Sequence, residues 1–335
     1  MKIFFTQIKI YLRVLKNYKN IAVKKSNYFY IYTMPIFGIP FFIISKILLK
    51  IKNNYLINLF LEMKIFKSSI RFLNGKERHY IANTLKSYNT LNNTSFSYNG
   101  TISDEAKEKI KQLKENGFCS LGKVFSDEEC DNFIKSLENK NCFNSQTPMQ
   151  SDGKVLKFNP NDDVFRKLGY YVFLPEATLS YNPIQKLLND KKINFLINSY
   201  LNFKSKIYCC MTWFNPVTQV KHYDHRLHRD TDDYKFLALY IYWNKVTKLN
   251  GSTSYVPKSH RTNISNLEKN KIFFEGEKGT AFLIDMSGFH SGSMVTQGHR
   301  YMTNIRFGKE DTYSAVVDGF IEMPTQKYLK FMEKN

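Results

Sequence analysis

At 335 residues, 43% hydrophobic and 16% aromatic, the chain can bury a sizeable core, which excludes global disorder and allows one catalytic domain with an extension. The formal net charge of +20 is unevenly placed: residues 1–100 hold 16 Lys and Arg against 2 Asp and Glu, while the other 235 residues hold 33 against 27. Five cysteines without a Cys-x-x-Cys pair exclude a disulfide framework and a cysteine-rich zinc module.

The basic N-terminal third points to an anionic surface, either nucleic acid or a membrane. The whole chain is also rich in Lys, Asn and Ile, so part of the charge reflects composition alone. Residues 1–28 are basic and amphipathic. Residues 29–45, FYIYTMPIFGIPFFIIS, run 17 residues without a charge. A spanning helix needs about 20 apolar residues, and Pro35, Gly38 and Pro40 would kink this one. An interfacial insertion fits the pattern, with Phe37, Phe41, Phe42 and Ile44 entering the acyl boundary. An apolar helical arm folded onto the catalytic domain fits it equally well. Residues 91–100, LNNTSFSYNG, read as a linker. The expected division is therefore a helical extension over 1–100 and a catalytic domain over 101–335. No cleavable signal is evident and the cysteines read as reduced. These features suggest a cytoplasmic protein, with peripheral membrane contact through residues 1–70. The basic segment is apolar rather than arginine-rich and no nucleic-acid motif occurs, so no nucleic-acid partner is expected.

Ser103 is placed to cap a helix with Asp104 and Glu105 in its first turn, and Gly117 to end it. A strand over Phe118–Leu121 should follow. Ser126 with Glu129 forms a capping box for a second helix. From Lys206 the pattern turns to strands. Residues 234–243, YKFLALYIYW, are apolar on both faces, as in a strand covered on both sides. Residues 251–256, 279–286 and 299–308 are further strands between Gly, Pro and Asn turns. Strands gathered with flanking helices predict a mainly β fold, a sandwich or barrel.

Within this half lies HYDHRLHRDTDD, residues 222–233. Residues i and i+2 of a strand point to one side, so a His-x-Asp pair can take two adjacent positions on one metal ion. Both His222-Tyr223-Asp224 and His228-Arg229-Asp230 qualify. The second is preferred because the central strand follows it closely. A third ligand, His290, sits in the turn MSGFHSG sixty residues after Asp230. Two histidines and one carboxylate on one face of iron(II) leave three positions open, the usual set of non-haem oxygenases. His299 is the other distal candidate, set aside because Arg300 follows it directly. A lone His-x-Asp is common by chance, and its weight comes from what accompanies it.

The ordered set does more. HRD, the apolar strand, Asn250-Gly251, Val256-Pro257-x-Ser259-His260, Gly279-Thr280 before a strand with a distal His, and an Arg on the last strand resemble the phytanoyl-CoA dioxygenase family. ENGFCSLGKVFSDEEC, in the helix–strand–helix segment 102–138, is similar to that family's opening. The resemblance covers roughly residues 102–310, and residues 1–100 lie outside it. It implies a double-stranded β-helix, the jelly roll or cupin-like fold. It implies Fe(II), with 2-oxoglutarate and O2 as cosubstrates, held by His228, Asp230 and His290. It implies Arg300 as partner of the distal 2-oxoglutarate carboxylate, a role suited to a planar, always-charged fork. Arg306 has the same strand parity and is the runner-up. The spacing from His290 to Arg300 is one residue shorter than usual in the family. Related halogenases replace the carboxylate by Gly or Ala, so Asp230 implies hydroxylation or a related oxidation. The substrate class implied is a small molecule, lipid or glycan precursor. Trp213, Phe214, Tyr240 and Tyr242 are candidates for its pocket. His260 reads as structural. The alternative is a non-enzymatic, membrane- or nucleic-acid-associated protein on a jelly-roll scaffold.

Overall fold

The computed structural model describes residues 40–67, 69–91, 103–144, 155–162, 165, 171–218 and 223–309. Residues 1–39, all of the expected linker at 91–100 but its first residue, and His222 lie outside this set, so most of the apolar run at 29–45 falls outside it too.

The strands are β1 (Phe118–Lys123), β2 (Asn141–Asn144), β3 (Val155–Lys157), β4 (Tyr171–Phe173), β5 (Lys206–Pro216), β6 (Leu237–Tyr242), β7 (Thr253–Tyr255), β8 (Ile272–Phe274), β9 (Thr280–Asp285), β10 (His290–Gly292) and β11 (His299–Gly308). Among the described residues, eight form one antiparallel sheet in the order β1-β9-β6-β11-β5-β4-β2-β3, and three form a second in the order β10-β7-β8. Two sheets made by non-sequential strands, with helices packed on the larger one, are the jelly-roll arrangement expected from the sequence.

Side-chain alternation explains why the central strands are apolar throughout. Leu237, Leu239 and Ile241 of β6 face the helices with Ala281, Leu283, Ile305 and Phe307. Ala238, Tyr240 and Tyr242 turn the other way, into the layer between the sheets, with Phe282, Ile284 and Met302. The period of two therefore sends the even residues of β11, Arg300 and Arg306 among them, toward that inner layer.

The helices begin and end where their caps dictate. Ser103 accepts from Ala106 N and opens Asp104–Asn116. Gly117 ends it at φ 88°, a left-handed turn in which a Cβ would collide with the Tyr255 hydroxyl. Ser126 and Glu129 form the reciprocal capping box of Asp127–Ser136.

The described residues among 40–91 pack on the large sheet as a helical arm. It is helical over 40–51, Asn54–Leu61 and Gly75–Thr84. Leu48, Ile57, Leu61, Phe66, Ile70, Ile81 and Tyr88 share one core with the helix-facing side of the large sheet. Phe41 and Phe42, which the sequence offered to a lipid boundary, turn inward instead, onto Phe66 and Phe72. Ile43, Ile47 and Ile51 on the same helix stay about half exposed (53%, 50% and 57%). Among the described residues no helix is long and apolar enough to cross a membrane. All five cysteines are buried and free.

Candidate active site

His228 and His290 meet by backbone pairing. Each N–H donates to the other's carbonyl, at 3.0 and 2.9 Å, the single bridge that joins the HRD segment to β10. Their rings lie 4.4 Å apart, centroid to centroid. Asp230 lies between them: its Oδ1 is 3.4 Å from His228 Nε2 and 3.7 Å from His290 Nε2. One ligand atom from each of the three falls within 4.8 Å of the others.

The sequence placed HRD on a strand and His290 in a turn. The structure differs on both. HRD is irregular apart from the His228 bridge, and His290 opens β10. His-Ser-Gly has little intrinsic strand preference, so β10 exists because β7 pairs with it.

The ring orientations are fixed. His228 Nδ1 lies 2.8 Å from Arg226 O and His290 Nδ1 lies 3.0 Å from Gly288 O. A carbonyl can only accept, so each Nδ1 carries a proton and each Nε2 faces Asp230, the His228 Nε2 as a protonated nitrogen while no cation is bound. This is how a second partner sets the tautomer of a metal-binding histidine. Burial opposes protonation of His228, but the hydrogen bond and charge of Asp230 outweigh it and raise its pKa to about 9. Burial, then the charge of His228, lowers His290 to about 4. Burial would raise the Asp230 carboxyl, yet Arg306 and the two histidines hold it far below the usual carboxylate range.

The donor set fits a divalent cation. Asp230 Oδ2 is buried and makes no aligned hydrogen bond. Arg306 Nη2 is 3.0 Å from it, close enough for charge pairing but not aligned as a donor. Two imidazole nitrogens and one carboxylate oxygen thus converge on one point, and a bound cation would take the place of the proton that His228 Nε2 shares with Asp230.

The two arginines sit differently. Arg306 is committed to acid, paired with Asp230 and, at 2.5 Å, with Asp232. Asp232 also accepts the Tyr208 hydroxyl at 2.9 Å. Arg300 is buried, and its hydrogen bonds go to neutral groups. Nε and Nη2 donate to Asn215 Oδ1 at 3.1 and 2.8 Å, and Nη1 donates to Gly251 O. Gly251 has φ 98°, and a Cβ there would stand 2.8 Å from Val295 Cγ2 and 3.6 Å from Arg300 Cζ. Both arginines line the cavity that holds His228, Asp230 and His290, with Trp213, Tyr240, Met286 and Met302 as its apolar walls.

The remaining candidates divide. Trp213 and Tyr240 reach the cavity, whereas Phe214 belongs to the helix-side core and Tyr242 donates to Phe274 O. Asp224 also lines the cavity. His299 is exposed at the start of β11, against Phe214 and Tyr301. His260 is buried against Lys114 O, with its pKa pushed down by burial to about 4. Asn250 holds its turn through Thr247 N and Lys245 O.

Sequence reasoning gave Ser259 no role beyond a turn. Its hydroxyl donates to Val256 O and accepts the Phe289 N–H at 2.7 Å, so the Val-Pro-x-Ser-His loop supports the residue before His290. It also missed Lys67, Arg78, Tyr88 and Asp233. Lys67 Nζ pairs with Asp233 Oδ2 at 3.1 Å in full burial, and the Tyr88 hydroxyl donates to Asp233 Oδ1. Arg78 donates to the carbonyls of Asp230 and Asp233, at 2.8 and 2.6 Å. These partners lie 145–166 residues apart in the chain, beyond any local pattern.

Comparison with known proteins bears on this geometry. The sequence model of the phytanoyl-CoA dioxygenase (PhyH) family matches residues 113–302. No curated protein matches the chain. Solved structures similar to it include the non-heme alpha ketoglutarate dependent epimerase SnoN from nogalamycin biosynthesis, at 10% identity and TM-score 0.45, covering 61% of this chain and 83% of that one. HygX from Streptomyces hygroscopicus, with nickel and 2-oxoglutarate bound, is 15% identical at TM-score 0.43, covering 61% and 87%. EctD from S. alaskensis is 16% identical at TM-score 0.44, covering 65% and 79%. These structural likenesses are loose and carry no weight beside the family match.

Proposed function

Since the chain belongs to the phytanoyl-CoA dioxygenase family, and so is a non-haem iron, 2-oxoglutarate-dependent oxygenase, we propose that His228, Asp230 and His290 are its iron ligands and that Arg300 anchors the cosubstrate. The observation that carries this reading is the convergence of those three residues to within 4.8 Å. Iron, when bound with 2-oxoglutarate and O2, supplies the oxidising power for attack on a substrate C–H bond. The chain supplies position. The locked Nδ1–H of each histidine leaves Nε2 as the nitrogen that would hold the metal, and Asp230 would contribute a negatively charged oxygen. Its carboxylate fills the position that Gly or Ala leaves to a halide in related halogenases, so the expected outcome is hydroxylation or a related oxidation.

Arg300 suits the distal carboxylate of 2-oxoglutarate because its hydrogen bonds go only to neutral groups, Asn215 and Gly251. A buried guanidinium without an acidic partner among the described residues favours an incoming anion. Arg306 already carries two carboxylates, and its part is to balance Asp230 and Asp232. The apolar walls Trp213, Tyr240, Met286 and Met302 favour a small molecule or lipid presenting a hydrocarbon portion.

Residues 1–100 form an extension to the catalytic domain over 101–335, and residues 1–70 give peripheral contact with a membrane. Ile43, Ile47, Ile51, Tyr55, Leu59 and Met63 recur every fourth residue and are all about half exposed or more. Lys50 and Lys52, also exposed, lie beside them. Apolar contact beside lysine is what an anionic bilayer surface takes up.

The test is turnover. The chain loaded with iron(II) should convert 2-oxoglutarate to succinate. His228→Ala, Asp230→Ala and His290→Ala should each abolish the conversion while leaving a cooperative melt. Succinate formation that survives in all three variants would refute the ligand assignment.

A further inference from the structure

We infer that the N-terminal arm is part of the metal site, and that Arg78 is the positioning residue through which it holds Asp230. The inference rests on the reading of Asp230 as an iron ligand, and it concerns residues outside the span that matches the family.

The segment that carries Asp230 needs an outside support. It makes one backbone bridge, at His228, and is then irregular until β6 begins at Leu237. Buried backbone groups in such a stretch must find partners elsewhere. The Asp230 N–H donates to Met286 O at 3.1 Å. The Asp230 carbonyl accepts Arg78 Nη1 at 2.8 Å, and the Asp233 carbonyl accepts Arg78 Nη2 at 2.6 Å. One rigid, planar guanidinium therefore spans both ends of the Asp230–Asp233 turn. Arg78 is 1% exposed, so bulk solvent does not reach the two carbonyls while it is in place. A fork with several donors in fixed geometry does this, and a flexible amine does it only in part.

The same turn is held a second time. Asp233, itself fully buried, receives Lys67 Nζ, the Tyr88 hydroxyl and the Tyr234 N–H. The Tyr234 hydroxyl returns to the arm, donating to Leu61 O at 3.0 Å. Lys67, Arg78, Tyr88 and Leu61 all come from the arm.

The helix that carries Arg78 also bears on the other ligand segment. Asn74 and Glu77 cap it reciprocally, which fixes where Gly75 stands. A Cβ at Gly75 would overlap Ser259 O, so the helix end lies directly on the Val-Pro-x-Ser-His loop. That loop holds the Phe289 N–H beside His290 through Ser259 Oγ. Arg229 ties the two sides together, donating to Ser259 O at 3.0 Å while its guanidinium stacks 3.8 Å from the Phe289 ring centroid. One helix of the arm thus braces both the Asp230 turn and the support of His290.

The experiment uses the full chain and reads iron affinity apart from fold. Iron(II) is titrated anaerobically with 2-oxoglutarate present, following the visible charge-transfer band, and thermal melts are recorded without metal. Arg78→Gln should weaken iron binding by about 10- to 100-fold, the usual effect of losing a residue that supports a metal ligand. Arg78→Lys, which can serve one carbonyl at a time, should fall between it and the parent chain and is the variant to read if Arg78→Gln does not fold. Ile81→Ala, a fully buried packing change on the same helix, should lower the melting temperature without changing iron affinity below the melt. A folded Arg78→Gln or Arg78→Lys that binds iron as the parent chain does would overturn the inference. An iron loss in Ile81→Ala equal to that in Arg78→Gln would reduce the arm to general packing and overturn it too. A parent chain that binds no iron would instead sink the assignment of the ligands, and this inference with it.

Discussion

Replacing Arg300 by Ala removes three hydrogen bonds at once, two on Asn215 Oδ1 and one on Gly251 O. Two effects follow, and they are separable. The first is on the cosubstrate. A hydrogen bond to a charged group contributes about 1.5–3 kcal/mol, and about 1.4 kcal/mol is a factor of ten. The affinity for 2-oxoglutarate should therefore fall by about 10- to 150-fold. Arg300→Lys should recover only part, because a point charge cannot make the two-pronged contact. The second effect is on the fold. The Gly251 carbonyl loses its buried donor, at about 1–3 kcal/mol for a polar group left unsatisfied, and Asn215 Oδ1 loses two donors from Arg300. The metal-free variant should melt below the parent chain. The assay is calorimetric titration of 2-oxoglutarate into the chain loaded with manganese(II), which supports binding without turnover. Arg306→Ala is the comparison, and its own effect should fall mainly on the metal, whose ligand Asp230 it balances. An Arg300→Ala variant with parental 2-oxoglutarate affinity, beside an Arg306→Ala variant that has lost it, would refute the reasoning and move the anchor to Arg306.

Two further outcomes are expected. Lys67→Met leaves Asp233 without its buried cation, and breaking one side of such a pair costs about 3–5 kcal/mol; denaturant unfolding should show this, and a loss below about 1 kcal/mol would mean that Tyr88 and Arg78 suffice. The whole chain should float with anionic liposomes, less so at high salt, and Ile43→Ser with Ile47→Ser and Ile51→Ser should abolish it; a parent chain that stays in the soluble fraction would remove the membrane contact.

What was legible in the sequence was local or ordered. The caps at Ser103 and Ser126 follow from side chains bonding three residues ahead. β6, β9 and β11 follow from apolar runs between turns, and the parity that aims Arg300 and Arg306 inward follows from the two-residue period. His290 was legible only through its place in an ordered set of motifs, because nothing in Met-Ser-Gly-Phe-His-Ser-Gly marks a strand or a ligand. β10 and the irregular HRD turn are made by their partners, so local preference misassigned both. The arm was ambiguous for a physical reason. Its sequence is apolar and basic on either reading, and only the packing of Phe41 and Phe42 shows which face turns inward. Arg78 and Lys67 were invisible because their function lies in contacts more than 150 residues away in the chain.

The most direct measurement is the anaerobic titration of iron(II) into the parent chain and into His290→Ala, with 2-oxoglutarate present and the visible charge-transfer band as readout. The account predicts a saturable band at one iron per parent chain and none in a folded His290→Ala. A parent chain without the band, or a His290→Ala variant that keeps it at full strength, would contradict the site built from His228, Asp230 and His290.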